Sequence, residues 1–152
     1  MRITFGELVV DDVSSFKVDY ATFINSKYVV SLDVVEYAAK KAVENWNRGR
    51  RISRSLSIEI LLYYAATRQI KDALKLGIAR GKNRVAAVIL DESRMAEIGF
   101  TETEFRPEYD VDSVIEFYGI TDDEIEITGV EKLPLLVKER IALFSAFGEV
   151  AK

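Results

Sequence analysis

The apolar and polar positions divide the chain into short segments of two periodicities. Residues 2–10 alternate between apolar and polar or small side chains, which is typical of a strand with one buried face. The unbroken apolar run at 85–90 is bounded by charged residues and predicts a central strand that is buried on both faces. Less regular strand-like patterns, the second of which also fits a helix, occupy 16–23, 24–30 and 100–109.

Helical spacing and N-capping residues predict helices between these strands. The clearest helix begins at Ser31 or Asp33 and ends near Trp46. Thr121 and Glu124 have the spacing of a capping box, which opens a later short helix. Further helices are predicted at 93–98, 111–118 and 133–148. Together these segments predict the α+β fold class: a single domain of residues 1–152, with a small mixed β-sheet packed with several α-helices.

The central helical stretch changes its apolar face near Ala66. Ile58 and Leu61 share one face, whereas Ile70 and Leu74 lie roughly 100° around the helix from it. A kink at this point would return both faces to the core. The pattern therefore predicts two helices joined at a corner, the first of them capped by Ser55 or Ser57 and the second running over 68–76.

Polar residues occupy this predicted corner. Thr67 can act as the N-cap of the second helix, with its hydroxyl accepting backbone N–H groups near Gln69 and Ile70. Arg68 and Gln69 would then lie in a first helical turn beside free N–H groups, where an anion or the end of a nucleic acid could bind. The alternative is an ordinary helix–helix corner with a solvated arginine.

The net charge of −4 conceals a basic segment. Residues 1–90 carry fifteen Lys and Arg against nine Asp and Glu, a net +6, whereas residues 91–152 carry six against sixteen, a net −10. Between 45 and 84 only Glu59 and Asp72 oppose ten cations: Arg48, Arg50, Arg51, Arg54, Arg68, Lys71, Lys75, Arg80, Lys82 and Arg84. Such a block favours a phosphate-rich partner. The alternative is pairing of this block with the acidic half of the same chain.

The composition excludes several classes of chemistry. The chain has no cysteine and no histidine, which excludes disulfides, thiol nucleophiles, Cys/His zinc sites and histidine acid–base catalysis. The segment from Gly77 to Lys82 lacks the spacing of a Walker A loop, and it follows a helix instead of a strand. The adjacent acids at 11–12, 91–92 and 122–124 are expected to be caps. A non-enzymatic binding module without cofactor or metal is therefore expected.

Two further expectations come from composition and hydropathy. Neither a signal-peptide pattern nor an apolar run of membrane-spanning length is found, so a soluble, cytoplasmic protein is expected. The scarcity of amides, with one Gln and four Asn, beside 30% charged residues indicates a thermophilic source.

The last predicted helix has more apolar residues than docking onto a sheet requires. Its surplus consists of Leu136, Leu143 and Phe147. These three residues are either additional core or a patch for another protein.

The central stretch also carries a family resemblance. Glu59 to Tyr63 read Glu-Ile-Leu-Leu-Tyr, and Arg68, Gln69 and Ile70 follow a pair of small residues, with Gly77 ending the next helix. In this pattern the chain resembles the small non-catalytic subunit of the KEOPS complex, the archaeal relative of the PRPK-binding protein. Weaker similarity is found in three further segments, at 23–43, 120–126 and 139–143. One departure is Ala65-Ala66, where the family commonly has Ser-Gly, and glycine accepts backbone angles that alanine resists.

The resemblance implies a function in two parts. It implies a subunit that performs no chemistry itself, is a monomer when isolated, and binds the atypical kinase/ATPase subunit of KEOPS. It also implies that the subunit grips the single-stranded 3′ CCA end of tRNA for threonylcarbamoyladenosine formation. In this chain we expect Arg68 and Gln69 to bind the tail. The expected phosphate contacts are Arg51, Arg54, Arg80, Lys82 and Arg84. The kinase surface is expected at Leu136, Leu143 and Phe147. The competing function is a standalone protein–protein adaptor without RNA binding.

Overall fold

The computed structural model describes residues 1–147, and these contain a four-stranded antiparallel sheet in the order β2-β3-β1-β4. The strands are β1 (Arg2–Val10), β2 (Ala21–Asn25), β3 (Gly81–Ile89) and β4 (Phe100–Glu102). The predicted α+β class is confirmed, but the sheet is antiparallel and not mixed. β1 and β2 run in the same direction, yet β3 lies between them, so this pair forms no parallel ladder.

In this described part of the chain, three α-helices lie between β2 and β3, and three more follow β4. They are α1 (Leu32–Asn47), α2 (Leu56–Ala65), α3 (Ile70–Ala73), α4 (Val111–Tyr118), α5 (Asp122–Thr128) and α6 (Leu133–Phe147). Short 3₁₀ turns occupy Val13–Ser15, Ser26–Tyr28, Leu74–Leu76, Glu92–Glu97 and Val130–Lys132. The predicted end of the last helix at 148 lies outside the described residues.

The central strand β3 is buried on both faces, as the apolar run predicted. Ala86 and Val88 pack into the main core, which contains the apolar sides of the helices. Ala87, on the opposite face, belongs to a second cluster together with Tyr20 and Met95. The sheet thus separates a large helical core from a smaller core formed under connecting segments.

Several predicted helix boundaries are confirmed by capping contacts. The Ser31 hydroxyl accepts the backbone N–H of Val34 at 3.1 Å, so Ser31 and not Asp33 is the N-cap of α1. Thr121 and Glu124 form the predicted capping box of α5. Residues 111–118 form α4 as predicted.

The less regular strand predictions were too long. The predicted strand at 16–23 begins only at Ala21, and the one at 100–109 is three residues long. Phe16 and Val18 alternate like strand residues because they pack onto the second face of the sheet, which needs no strand pairing. The short helix predicted at 93–98 is a 3₁₀ helix at Glu92–Glu97.

The predicted break after α2 is confirmed at Ala66. This residue has φ 53° and ψ 45°, which is the left-handed conformation. The N–H of Ala66 bonds to the carbonyl of Tyr63 at 3.1 Å, and the N–H of Thr67 bonds to that of Leu62 at 3.1 Å. These bonds satisfy the last carbonyls of α2 and turn the chain sharply. Alanine therefore occupies a position that favours glycine.

The corner does not return both apolar faces to the core, so that expectation was wrong. Ala73 of α3 is buried, but Ile70 and Leu74 are exposed. The reason is that α3 has only four residues before it tightens into the following 3₁₀ turn, too short for a full apolar stripe to dock. Two exposed apolar residues therefore follow Arg68 in the chain.

Candidate functional site

The corner between α2 and α3 presents Arg68 and Gln69 to solvent. The Thr67 hydroxyl accepts the backbone N–H of Gln69 at 3.1 Å, as predicted. However, α3 begins at Ile70, so Thr67 is not its N-cap and neither Arg68 nor Gln69 lies inside a helical turn. Arg68 is therefore held by a tight turn of the chain, and α3 is too short to supply an anion site of its own.

The basic loop at 50–54 is fixed from inside the protein by Glu59. This glutamate of α2 is fully buried, with an exposed fraction of 0%. Its carboxylate accepts the backbone N–H of Ile52 at 2.9 Å, the backbone N–H of Ser53 at 2.8 Å and the Ser53 hydroxyl at 2.7 Å. A carboxylate is buried at tolerable cost only when it is hydrogen-bonded in this way. The loop therefore has a defined position relative to α2.

Arginines from the loop and the corner meet at one surface pocket. Arg50 and Arg51 come from the basic loop, and Arg68 comes from the other end of α2. The pocket has a volume of about 320 Å³ and includes side chains from the end of α6, among them Phe144 and Phe147. Of the aromatic rings in this pocket, that of Phe147 is exposed, whereas Phe144 is buried. Cationic side chains beside an exposed aromatic ring suit a nucleic-acid strand, which offers phosphates and base faces. We call this site the arginine pocket.

The inner wall of the arginine pocket is a buried polar network. Asn45 of α1 donates to the Tyr63 hydroxyl at 2.9 Å and to the Ser145 hydroxyl at 3.3 Å. Burial raises the pKa of the Tyr63 hydroxyl above its ordinary value, while the hydrogen bond from Asn45 and the charges of Arg50 and Arg68 act against this rise. The wall therefore joins α1, α2 and α6, and Tyr63 lines the same pocket as Arg50 and Arg68.

Trp46 fixes the third arginine. The Arg51 guanidinium lies 4.1 Å from the centre of the Trp46 ring, and its Nε donates to the Trp46 carbonyl at 3.1 Å. Stacking of this kind orients an arginine while leaving edge N–H groups available. Arg51 is thus held between α1 and the loop.

The other predicted phosphate contacts lie elsewhere. Arg54 follows the anchored part of the loop, and Arg80 precedes β3; both are exposed, and neither lines the arginine pocket. Lys82 and Arg84 project from the start of β3 and pair with acids of the same protein. Lys82 lies 3.5 Å from Glu7, and Arg84 lies 3.7 Å from Glu7 and 2.6 Å from Glu108.

The arginines of the pocket and the basic residues at the start of β3 differ in whether an acidic side chain compensates their charge. Among residues 1–147, no ion pair involves Arg50, Arg51 or Arg68. Other cations of the basic block pair within the chain: Arg48 with Glu44, Lys75 with Asp72, and Lys82 and Arg84 with the acids named above. Within residues 1–147, only the Arg84–Glu108 pair joins the block to the acidic half of the chain, so the alternative interpretation applies to Arg84.

The exposed face of α6 is a second candidate surface. Leu136 has an exposed fraction of only 7% and belongs to the main core, so it cannot contribute to a surface in the folded protein. Leu143 is 40% exposed and Phe147 74% exposed. Leu135, which the sequence reasoning did not select, is exposed on the same helix. The surplus apolar residues of α6 are therefore partly core and partly surface.

A family model described as "Kinase binding protein CGI-121" matches residues 8–145. The chain belongs to this family. The family's description names a kinase as the partner, which supports a kinase-binding role for the protein. The match covers the arginine pocket up to Ser145 and most of α6. A search of curated proteins finds no match.

Within this kinase-binding family member, a further pocket lies on the other side of the corner. It has a volume of about 400 Å³ and is lined by Lys27, the aromatic pair Tyr28–Phe117, Ala66 and the buried Arg140. Arg140 bonds to Glu124 at 2.8 Å and to the carbonyls of Tyr118 and Gly119, so its charge is already used to join α6 with α4 and α5. This pocket has mixed charge, unlike the arginine pocket.

The adjacent acids that were expected to be caps lie at the starts of helical segments. Asp12 and Asp91 each accept a backbone N–H at the start of a 3₁₀ turn, and Asp122 opens α5. Over residues 1–147, no group of acidic side chains has an arrangement that could hold a metal ion.

No helix within residues 1–147 combines the length and the apolar composition needed to cross a bilayer.

Sequence reasoning missed part of the arginine pocket. Arg50 was included in the basic block but was not selected as a site residue, and Asn45 and Tyr63 were not connected with the site. Glu59 did give a signal. It is an acid within an otherwise apolar helix and one of only two acids in the basic block, a combination that indicates a buried polar contact.

Proposed function

We propose that the protein is the small non-catalytic subunit of a KEOPS complex, in which it binds the atypical kinase subunit and the 3′ CCA end of tRNA. The single observation that best supports the RNA part is the arginine pocket. It unites Arg68 of the Arg-Gln-Ile signature with Arg50 and Arg51 of the basic loop beside the exposed ring of Phe147. A single-stranded tail offers phosphates to the guanidinium groups and a base face to that ring.

The remaining predicted residues have secondary roles in this proposal. Gln69 extends from the same corner toward the bases, and Arg54 and Arg80 contact phosphates outside the pocket. Lys82 and Arg84 contribute less, because their ion pairs with Glu7 and Glu108 already compensate their charge. Since the whole chain has a net charge of −4, strong tRNA binding is expected only when other subunits add their own contacts.

The RNA proposal is tested by a gel-shift experiment with full-length tRNA and tRNA lacking the CCA end, at one fixed salt concentration. The wild-type protein should prefer the full-length tRNA, and Arg68→Ala should abolish that preference. Arg106→Ala is a matched control, because Arg106 is an exposed arginine in the acidic half of the chain. Equal binding of both RNAs by the wild-type protein would refute the proposal.

The proposed kinase surface is the exposed part of α6 at Leu135, Leu143 and Phe147. Phe147 also lines the arginine pocket, so the two proposed surfaces meet at this residue. The apolar side chains of the kinase surface are what a protein partner would bury. Leu143→Asp should prevent co-purification with the kinase, whereas Ile127→Asp, at an exposed apolar position of α5, should not. If Leu143→Asp co-purifies like the wild type, the kinase binds another face.

The competing function is a protein–protein adaptor without RNA binding. The ion pairs of Lys82 and Arg84 favour it, because they show that part of the basic block is compensated within the chain. It predicts tRNA binding that is negligible or unaffected by removal of the CCA end, so the same gel shift distinguishes the two functions.

A further inference from the structure

Glu59 is a buried carboxylate whose partners all lie in the basic loop. The surrounding positions of α2, including Ile60 and Leu62, are apolar and fully buried. An apolar side chain at position 59 would avoid the cost of taking a carboxylate out of water. The carboxylate accepts three hydrogen bonds, all from Ile52 and Ser53. Its contribution is therefore to the position of the loop more than to the packing of α2.

The anchored residues directly follow two arginines of the pocket. Arg50 and Arg51 precede Ile52 in the chain, so fixing the backbone of Ile52 and Ser53 fixes where both arginines leave the loop. Arg68 lies at the opposite end of α2, the helix that contains Glu59. Glu59 thus connects the two sources of positive charge through one rigid element, and preorganisation of this kind reduces the entropy lost on binding.

We propose that Glu59 is a positioning residue, which holds the basic loop against α2 so that Arg50, Arg51 and Arg68 converge on one phosphate group of bound RNA. The identity of the ligand rests on the proposed function. The positioning of the loop does not, and it can be measured in the free protein.

The sign of the effect distinguishes positioning from simple electrostatics. Glu59→Gln removes one negative charge next to a basic pocket, and by charge alone it should strengthen the binding of an anion. If Glu59 positions the loop, the substitution should weaken binding, because a Gln side chain presents one oxygen and an NH₂ group to three donors. Glu44→Gln, at an exposed acid of α1, is the matched control for loss of charge.

The loop position has its own spectroscopic signature. Trp46 is the single tryptophan of the chain, and Arg51 stacks on it. In Glu59→Gln, the Trp46 emission should change in the same direction as in Arg51→Ala, and hydrogen exchange of the Ile52 and Ser53 amides should become at least about tenfold faster. In Glu44→Gln, both should resemble the wild type.

The binding experiment uses the full-length protein with full-length and tail-clipped tRNA. Glu59→Gln should reduce the preference for the intact tail about tenfold, and Glu44→Gln should not reduce it. Unchanged Trp46 emission and amide exchange in Glu59→Gln, or tighter tail binding by that variant, would overturn the inference. If instead the wild-type protein shows no tail preference while emission and exchange change as expected, the proposed function fails and the positioning of the loop stands.

A milder variant covers the case in which Glu59→Gln does not fold. Ser53→Ala removes the hydroxyl, whose nearer partner is Glu59 at 2.7 Å and whose second partner is the Ser55 carbonyl at 3.0 Å. It leaves both backbone bonds to Glu59 in place. It should change the Trp46 emission and the tail preference in the same direction, with a loss of about two- to threefold. No change in either measurement would overturn the inference.

Discussion

The arginine pocket and the start of β3 have similar positive charge in the sequence but differ in the folded protein. In the pocket, Arg50 and Arg68 come from separate segments and lie near one buried hydroxyl, that of Tyr63. At the start of β3, Arg84 lies between two carboxylates, 2.6 Å from Glu108 and 3.7 Å from Glu7. Similar densities of basic residues thus produce, within residues 1–147, one site whose arginines form no ion pair and one that is largely compensated.

The largest effect expected from this comparison is on tRNA binding. Arg68→Ala should weaken binding of intact tRNA about tenfold, or roughly 1.4 kcal/mol, because it removes an exposed guanidinium from the pocket. Arg84→Ala should weaken it less than about twofold. The measurement is a titration of both variants against the same tRNA at one salt concentration. Similar losses of affinity in the two variants would show that the arginine pocket and the start of β3 do not differ as sites for tRNA.

The next effect concerns the stability of the corner that presents Arg68. Ala66→Gly should raise the free energy of unfolding by about 1 kcal/mol, because glycine adopts the left-handed conformation without the steric cost that alanine has there. Thermal unfolding followed by circular dichroism measures this change. Ala65→Gly, one residue earlier and inside α2, should instead lower the free energy of unfolding by about 1 kcal/mol. A destabilising Ala66→Gly would mean that the corner is not strained.

A smaller effect should follow from releasing Arg84. Glu108→Gln removes the closer of its two carboxylate partners, and so should increase tRNA affinity about twofold through the freed guanidinium. Glu104→Gln is the control, since Glu104 pairs weakly with Arg106 at 3.9 Å and has no contact with Arg84. An increase of the same size in both variants would indicate only a general charge effect.

The smallest effect is on the salt dependence of binding. Arg68→Ala should reduce the slope of log K against log salt concentration by about 0.7, as expected for one phosphate contact on a single strand. Lys82→Ala should leave the slope nearly unchanged, because Glu7 lies 3.5 Å from the Lys82 ammonium. Titrations at four salt concentrations give both slopes, and a larger change for Lys82→Ala would place the RNA at β3.

The parts of the fold that were predictable depend on local interactions. The cap at Ser31, the capping box at Thr121 and the break at Ala66 each involve residues within five positions of one another. The residue at which β2 begins was not predictable. Phe16 and Val18 alternate with polar residues as in a strand, yet they pack on the sheet without strand pairing. Periodicity reports which side chains are buried and not which backbone groups are bonded.

The candidate site was predictable as a charge density and a turn. The basic block and the polar corner after α2 are visible in the sequence, and Arg51 and Arg68 were predicted from them as site residues. That Arg50 shares their pocket could not be read from the sequence, and neither could the anchoring of the loop by Glu59. The exposure of α6 is a similar case, since Leu136 and Leu143 differ only in what packs against them.

The sequence by itself determined the α+β class, the corner at Ala66, the basic segment between 45 and 84 and the family to which the chain belongs. These properties arise from short-range backbone preferences and from residue order. The tertiary structure alone decided which basic residues are compensated and which converge on a pocket. The physical reason is that ion pairs such as Arg84–Glu108 and networks such as Asn45–Tyr63–Ser145 join side chains far apart in the chain. Their distances are set by the packing of the sheet and helices.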